Sequence, residues 1–166
     1  MVSILSRMSV GVAGDVSRPS ATVESMLIDS GTPITAFGQF CKLVSGKVRP
    51  ATLAGDVSIL AGLTVRPYPS PNQSLAAQGL GAGTPAASGI IDVMRRGYMT
   101  VVAKGAGAVT KGAAVYLCTT AGGVYALGDI VASATPGSGS AGTAIPGASF
   151  QGPADANGNV EIAFNL

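Results

Sequence analysis

The chain reads as all-β: a compact β-barrel or β-sandwich of short antiparallel hairpins, with an extended N-terminal arm and long Gly/Pro/Ala-rich loops. Three observations predict this class. The 166 residues include 24 Gly and 10 Pro, and no stretch free of both is longer than the 11 residues Ser20–Ser30. Globular helices average about 11–12 residues and rarely carry either residue inside, whereas strands of about 5–6 residues fit between such breakers. At the C-terminus, Val160, Ile162, Phe164 and Leu166 alternate with Glu161, Ala163 and Asn165, the period-two pattern of a half-buried strand.

The elements follow in order. Residues 1–33 form a polar, breaker-rich arm and lead-in, ahead of a single β domain over 34–166. Within the lead-in, Ser20–Ser30 fits both strand alternation and one helical face at Val23, Met26 and Leu27. The turn signal Ser30-Gly31-Thr32-Pro33 that follows at once favours strand. Ile34–Val44, a turn at Ser45-Gly46, Lys47-Val48-Arg49 and Val57–Arg66 read as the next strands. Residues 68–89 are loop by composition, and a loop so long is either functional or mobile. Ile90–Met94 and Tyr98–Ala103 flank Arg95-Arg96-Gly97, and Ala113–Thr119 precedes a Gly122-Gly123 turn into Val124–Leu127. Residues 133–149, again small, read as a second long loop.

The halves echo each other. Gly38-Gln-Phe-Cys-Lys-Leu43, then Gly46 and Val48, ending in Ala54-Gly55-Asp56, resembles Gly112-Ala-Ala-Val-Tyr-Leu117, then Gly123-Val124, ending in Leu127-Gly128-Asp129. Recurring hairpin grammar and duplication both account for it.

Bulk composition excludes several functions. Only 11% of residues are charged, against roughly 25% in soluble domains, which suits a protein whose faces are covered by neighbours. Ten basic and eight acidic residues are scattered, and Arg95-Arg96 is the one basic pair, so there is no nucleic-acid stripe. No window approaches the roughly 20 apolar residues of a membrane-spanning helix. Met1–Arg7 lacks the charged and apolar regions of a signal peptide, so a non-exported protein is expected.

Chemistry is sparse. With no His, the commonest general base and metal ligand are missing, and a catalytic triad is excluded. Cys41 and Cys118 have no CxxC spacing and read as two buried free thiols, with a disulfide as the alternative. Neither metal nor cofactor is expected. Gly79-Leu-Gly-Ala-Gly83 opens no helix and reads as linker, not as a phosphate loop. Asp15, Asp56, Asp129 and Asp155 stand beside Gly or Ala, where a carboxylate bonding nearby backbone N–H groups explains them. The residues that stand out are Arg49, Arg66, Tyr68, Arg95, Arg96 and Tyr98, because Arg and Tyr are favoured at protein interfaces.

The same segments carry a family resemblance. Val48-Arg49-Pro50, Ala54-Gly55-Asp56, Gly62–Pro69, Asp92–Val101 and Gly152–Asn165 resemble the structural cement, or head decoration, proteins of tailed bacteriophages. The likeness runs from about Arg18 to the C-terminus. It implies a β-rich virion protein on the outer surface of the capsid that bridges major capsid subunits and stabilises the expanded shell. It also implies a homo-oligomer, trimer favoured over dimer, with no catalytic residues; from charge and hydropathy, neither a nucleic-acid nor a membrane partner is expected. A tail, fibre or adhesion module is the alternative, and a carboxylate hydrolase a third.

Overall fold

The computed structural model describes residues 11–67 and 84–166. Its strands are β1 Thr22–Ile28, β2 Phe40–Val44, β3 Lys47–Pro50, β4 Leu60–Thr64, β5 Ile90–Lys104, β6 Ala114–Thr120, β7 Ile130–Val131, β8 Ala141–Phe150 and β9 Asn159–Phe164. A short 3-10 helix over Ala54–Ile59 joins β3 to β4. The all-β expectation holds, and Ser20–Ser30 contains a strand.

One strand organises the others. The 15 residues of β5 run straight through Arg95-Arg96-Gly97. Pairing closes one ring, β1-β3-β2-β4-β5 and back to β1, and a second ring, β5-β7-β6-β8-β9 and back to β5. Residues 90–96 of β5 pair with β1 in the first ring, and residues 97–102 pair with β9 in the second.

The two rings share one connectivity. In the first, β1 runs parallel to β3, β2 pairs antiparallel with β3 and β4, and β5 pairs with β4 and β1. Advancing every label by four gives the second ring, including its parallel pair β5–β7. Within the echo, Gly38–Leu43 and Gly112–Leu117 hold the equivalent strands β2 and β6, whereas Val48 lies on β3 and its counterpart Val124 on no strand. Asp56 accepts the backbone N–H of Leu53, and Asp129 that of Ala126, at the same three-residue interval. Each carboxylate also holds a lysine, Lys42 at 2.8 Å and Lys104 at 2.6 Å.

Neighbouring residues on a strand face opposite ways, which lets the first ring serve two cores. Cys41 and Val93 join Ile28, Ile34, Phe37, Val48, Ala61 and Ile91 in one cluster. Their neighbours Phe40 and Met94 join the larger cluster that fills the second ring with Val101, Val115, Leu117, Phe150 and Ile162. Phe40 meets Phe164 of β9 edge-on at 5.5 Å between centroids, a contact that ties ring to ring.

Several boundaries differ from expectation, each for a physical reason. The expected strand Val57–Arg66 begins as a 3-10 helix, because Asp56 draws the N–H groups of Thr52 and Leu53 into a tight turn. Val124–Leu127 is not a strand: Gly122 and Tyr125 bond each other through both N–H groups in a tight turn, and Val124 is 73% exposed. The small residues of 133–149, expected as loop, include most of β8. A Cβ at Gly142 would stand 2.8 Å from the Ser133 carbonyl oxygen and 3.2 Å from the Tyr116 Cβ, so smallness there is a packing requirement. Pro146 falls in the bulge between the pairings of Ala144 with Tyr116 and Ser149 with Ala114. Leu166 lies beyond the end of β9 and is exposed, since Asn165 turns the chain at φ 52°.

Among the lead-in residues described, 14–17 lie along β5. Gly14 N–H bonds Thr100 O, Thr100 N–H bonds Asp15 O, and Ser17 N–H bonds Tyr98 O. This backbone covers the edge of β5 between the points where β4 leaves and β7 arrives.

Gly97 stands where β5 passes between rings, at φ 138°, and a Cβ there would meet Ala21 Cα at 2.8 Å. Gly46, in the β2–β3 turn at φ 75°, has nothing within 4 Å of the same position. Gly97→Ala is expected to destabilise the chain by about 1–3 kcal/mol from the backbone alone, and further through the clash. Gly46→Ala is expected to show the backbone cost only, with both read from urea midpoints.

Candidate functional site

The Arg and Tyr residues singled out in the sequence do not converge on one site. Arg49, on β3, places Nη2 2.6 Å from Asp29 Oδ2. Arg66 lies against the scaffold, its guanidinium carbon 5.0 Å from the Phe37 ring centroid and its Nε donating to Ala13 O at 3.1 Å. Arg95 reaches Glu24 on β1 at 3.0 Å, both side chains largely exposed. Arg96 is exposed and has no ion pair among the described residues. Tyr68 lies outside the described residues.

Tyr98 belongs to a cluster that sequence reasoning did not assemble. Arg18 stacks its guanidinium carbon 3.8 Å above the Tyr98 ring centroid. The same fork grips Glu161 on β9, with Nε to Oε1 at 3.1 Å and Nη2 to Oε2 at 2.7 Å. Ser17 Oγ adds a third bond to Oε1 at 2.6 Å. Two-point guanidinium–carboxylate contacts are stronger and more directional than single ones. The cluster straps the lead-in across β5 onto β9. Its only sequence signal was Glu161 on the polar face of an alternating strand.

The electrostatics follow from these contacts. The Arg18 guanidinium, helped by Ser17, holds the Glu161 carboxyl below its ordinary range against the opposing effect of burial. The Gly31 N–H and then Arg49 lower Asp29. At Asp56 burial opposes the charge, but Lys42 and the N–H groups of Thr52 and Leu53 outweigh it and lower the carboxyl. Burial pushes the Cys41 thiol up to about 12 and raises Cys118 as well. Both cysteines are free and buried, so neither is poised as a nucleophile.

The four turn aspartates do what their settings suggested. Asp15 accepts the Val12 N–H, Asp56 those of Thr52 and Leu53, Asp129 that of Ala126, and Asp155 those of Asn157 and Asn159. No cluster of three or more potential metal ligands occurs among the described residues.

What remains at the surface is binding chemistry. Leu27 and Ile90, opposite each other on β1 and β5, are 53% and 69% exposed, with Val23 and Leu43 exposed on the same ring. Beside them a cleft of about 400 Å³ is lined by Ile28, Phe37, Val65, Pro67, Pro85 and Ile91. No helix among the described residues is long and apolar enough to cross a membrane.

The structure thus presents a closed β scaffold whose turn aspartates and Glu161 are tied into backbone and side-chain contacts, with apolar and arginine groups left outward. Residues 3–165 match the family described as structural cement protein (E217 gp24/Pam3 gp6), and the chain belongs to that family. It is a capsid-associated structural protein of a bacteriophage virion. A solved chain from the capsid of Myoviridae phage XM1 shares the fold at a TM-score of 0.66 and 22% identity, covering 98% of this chain and 95% of that one. No curated protein matches the chain significantly.

Because Asp29, Asp56 and Glu161 titrate lower when folded, the unfolded chain takes up protons first as pH falls. Their stabilisation is complete above the ordinary carboxyl range and drains as pH drops through the folded values. The melting temperature is expected to be flat above about pH 5 and to fall below about pH 4. Glu161→Gln should lower it near neutrality and make the acid decline shallower; thermal scans across pH check both.

Proposed function

We propose that this protein decorates the outer surface of the phage head, bridges neighbouring major capsid subunits and stabilises the expanded shell. The observation that carries the reading is the family match over residues 3–165. The surface supports it, since exposed Leu27, Ile90 and Arg96 offer apolar area and an uncommitted cation to a partner. The mechanism is linkage: a protein that binds the intact shell and not the disrupted one shifts the equilibrium towards the intact head. Many copies let modest single contacts sum to a large effect.

In this reading the contact residues are Arg49, Tyr68, Arg95, Arg96 and Tyr98. Arg66 contributes through the scaffold that presents them. Residues 1–33 act as arm and lead-in to the body over 34–166, and the protein works as a homo-oligomer, trimer favoured over dimer. Its role is structural and requires no catalysis, cofactor, nucleic acid or membrane.

Co-sedimentation of the purified protein with mature, expanded heads tests the reading. Saturation at a fixed ratio to the major capsid protein is the expected result, and absence of saturable binding would remove the cement role. Arg96→Ala should weaken head binding about tenfold or more with an unchanged melting temperature. Arg66→Ala should instead lower the melting temperature, because it removes the Phe37 and Ala13 contacts.

A further inference from the structure

The matching connectivity of the two rings exposes one difference between them. In the second ring the outer edge of β5 is covered: Gly14 and Ser17 donate to Thr100 O and Tyr98 O, and Asp15 O accepts from Thr100. The equivalent strand of the first ring is β1, and β3 covers it only at Leu27 and Ile28. Ile28 turns its N–H towards the β5 side, to Gly89, whereas Asp29 turns its own to Val48 on β3. Backbone groups alternate along an antiparallel strand, so the N–H and C=O of Val23 and Ser25 point away from β5. No strand among the described residues pairs with them there, and both residues are exposed. An edge of this kind accepts an added strand.

The covered edge shows the chemistry that a covering segment carries. Residues 14–17 bond β5 at Tyr98 and Thr100, and the next residue, Arg18, reaches across β5 to Glu161, opposite Thr100 on β9. In the first ring Ser25 stands where Thr100 stands, and the acid opposite it is Asp92. Asp92 Oδ1 accepts the Ser25 hydroxyl at 2.6 Å, and no cation pairs with Asp92 among the described residues. Val23 takes the place of Tyr98, and with Leu27 and Ile90 it gives the edge an exposed apolar border. The segment that fits is extended, apolar where it meets these three side chains, and carries an Arg or Lys that reaches over β1 to Asp92.

A second copy of this chain has no such segment to give among its described residues. Each described strand already has a neighbour on both sides, and the stretch from Gly14 to Arg18 is bound to β5 and β9. We propose that the occupant is an extended, basic segment of the major capsid protein, which adds to β1 at Val23 and Ser25 and closes a cation on Asp92. The proposal rests on the cement reading and gives it a mode of contact, a short β-ladder between cement subunit and shell.

Binding midpoints on mature, expanded heads, with hydrogen exchange on the free and head-bound protein, test this. The Val23 and Ser25 amides are expected to exchange readily in the free protein and to gain protection on heads. Ser25→Pro removes an outward N–H at an edge position where proline is tolerated, and should raise the midpoint about tenfold or more. Asp92→Asn keeps an acceptor for the Ser25 hydroxyl but removes the charge; it should raise the midpoint about threefold at low salt and less at high salt. Thermal melts establish that each variant is folded. Saturable wild-type binding that both folded variants retain unchanged, with no protection gained over residues 22–26, overturns the proposal and leaves the cement reading standing. A wild type that does not bind heads overturns both. Concentration-dependent self-association that Ser25→Pro abolishes while head binding stays intact assigns the edge to a second copy and likewise overturns the proposal.

Discussion

The structure depends on β5 belonging to two closed rings at once. A strand used once contributes two edges and two faces to one sheet. Here one continuous backbone gives residues 90–96 to the first ring and 97–102 to the second. Met94 and Met99, both fully buried on that strand, join the same core cluster from opposite sides of Gly97. Neither ring can shift register without moving the other, because a slip of one residue in β5 would exchange buried and exposed faces in both. The Phe40–Phe164 contact and the strap of Arg18 onto Glu161 then hold the rings at one relative orientation.

Closure also removes most strand edges, and with them the route by which β proteins aggregate. This suits a chain with few charges, which cannot rely on repulsion between molecules for solubility. Among the described residues, five of its cations are paired internally. Lys42, Arg49, Arg95, Lys104 and Arg18 each hold a carboxylate, while Lys47, Arg96 and Lys111 are exposed and in no ion pair among the described residues.

Much of this was legible in the sequence, and what was not has physical causes. The density of Gly and Pro limits helices wherever the chain folds, so the all-β class was readable, as was the Val160–Phe164 alternation. The Ser45-Gly46 turn was readable because both residues take positive φ there, 51° and 75°. β8 was hidden because close approach at Gly142 demands small residues, and small residues otherwise signal loop. The passage of β5 through Arg95-Arg96-Gly97 was hidden because each half-strand alternates on its own and only tertiary pairing joins them. The candidate residues do not gather into one cluster. An Arg beside a Tyr in sequence says nothing of the carboxylate across the sheet, so the Arg18–Tyr98–Glu161 strap, assembled over 143 positions of separation, had no local signature.

The shared strand has a mechanical consequence. A pull along β5 loads its flanking strands in shear, so many hydrogen bonds on both edges must fail together instead of peeling in turn. The lead-in at residues 14–17 adds to the same ladder and bears the same load. The axis along β5 therefore runs unbroken through both cores, joined to each by its own ladder of hydrogen bonds.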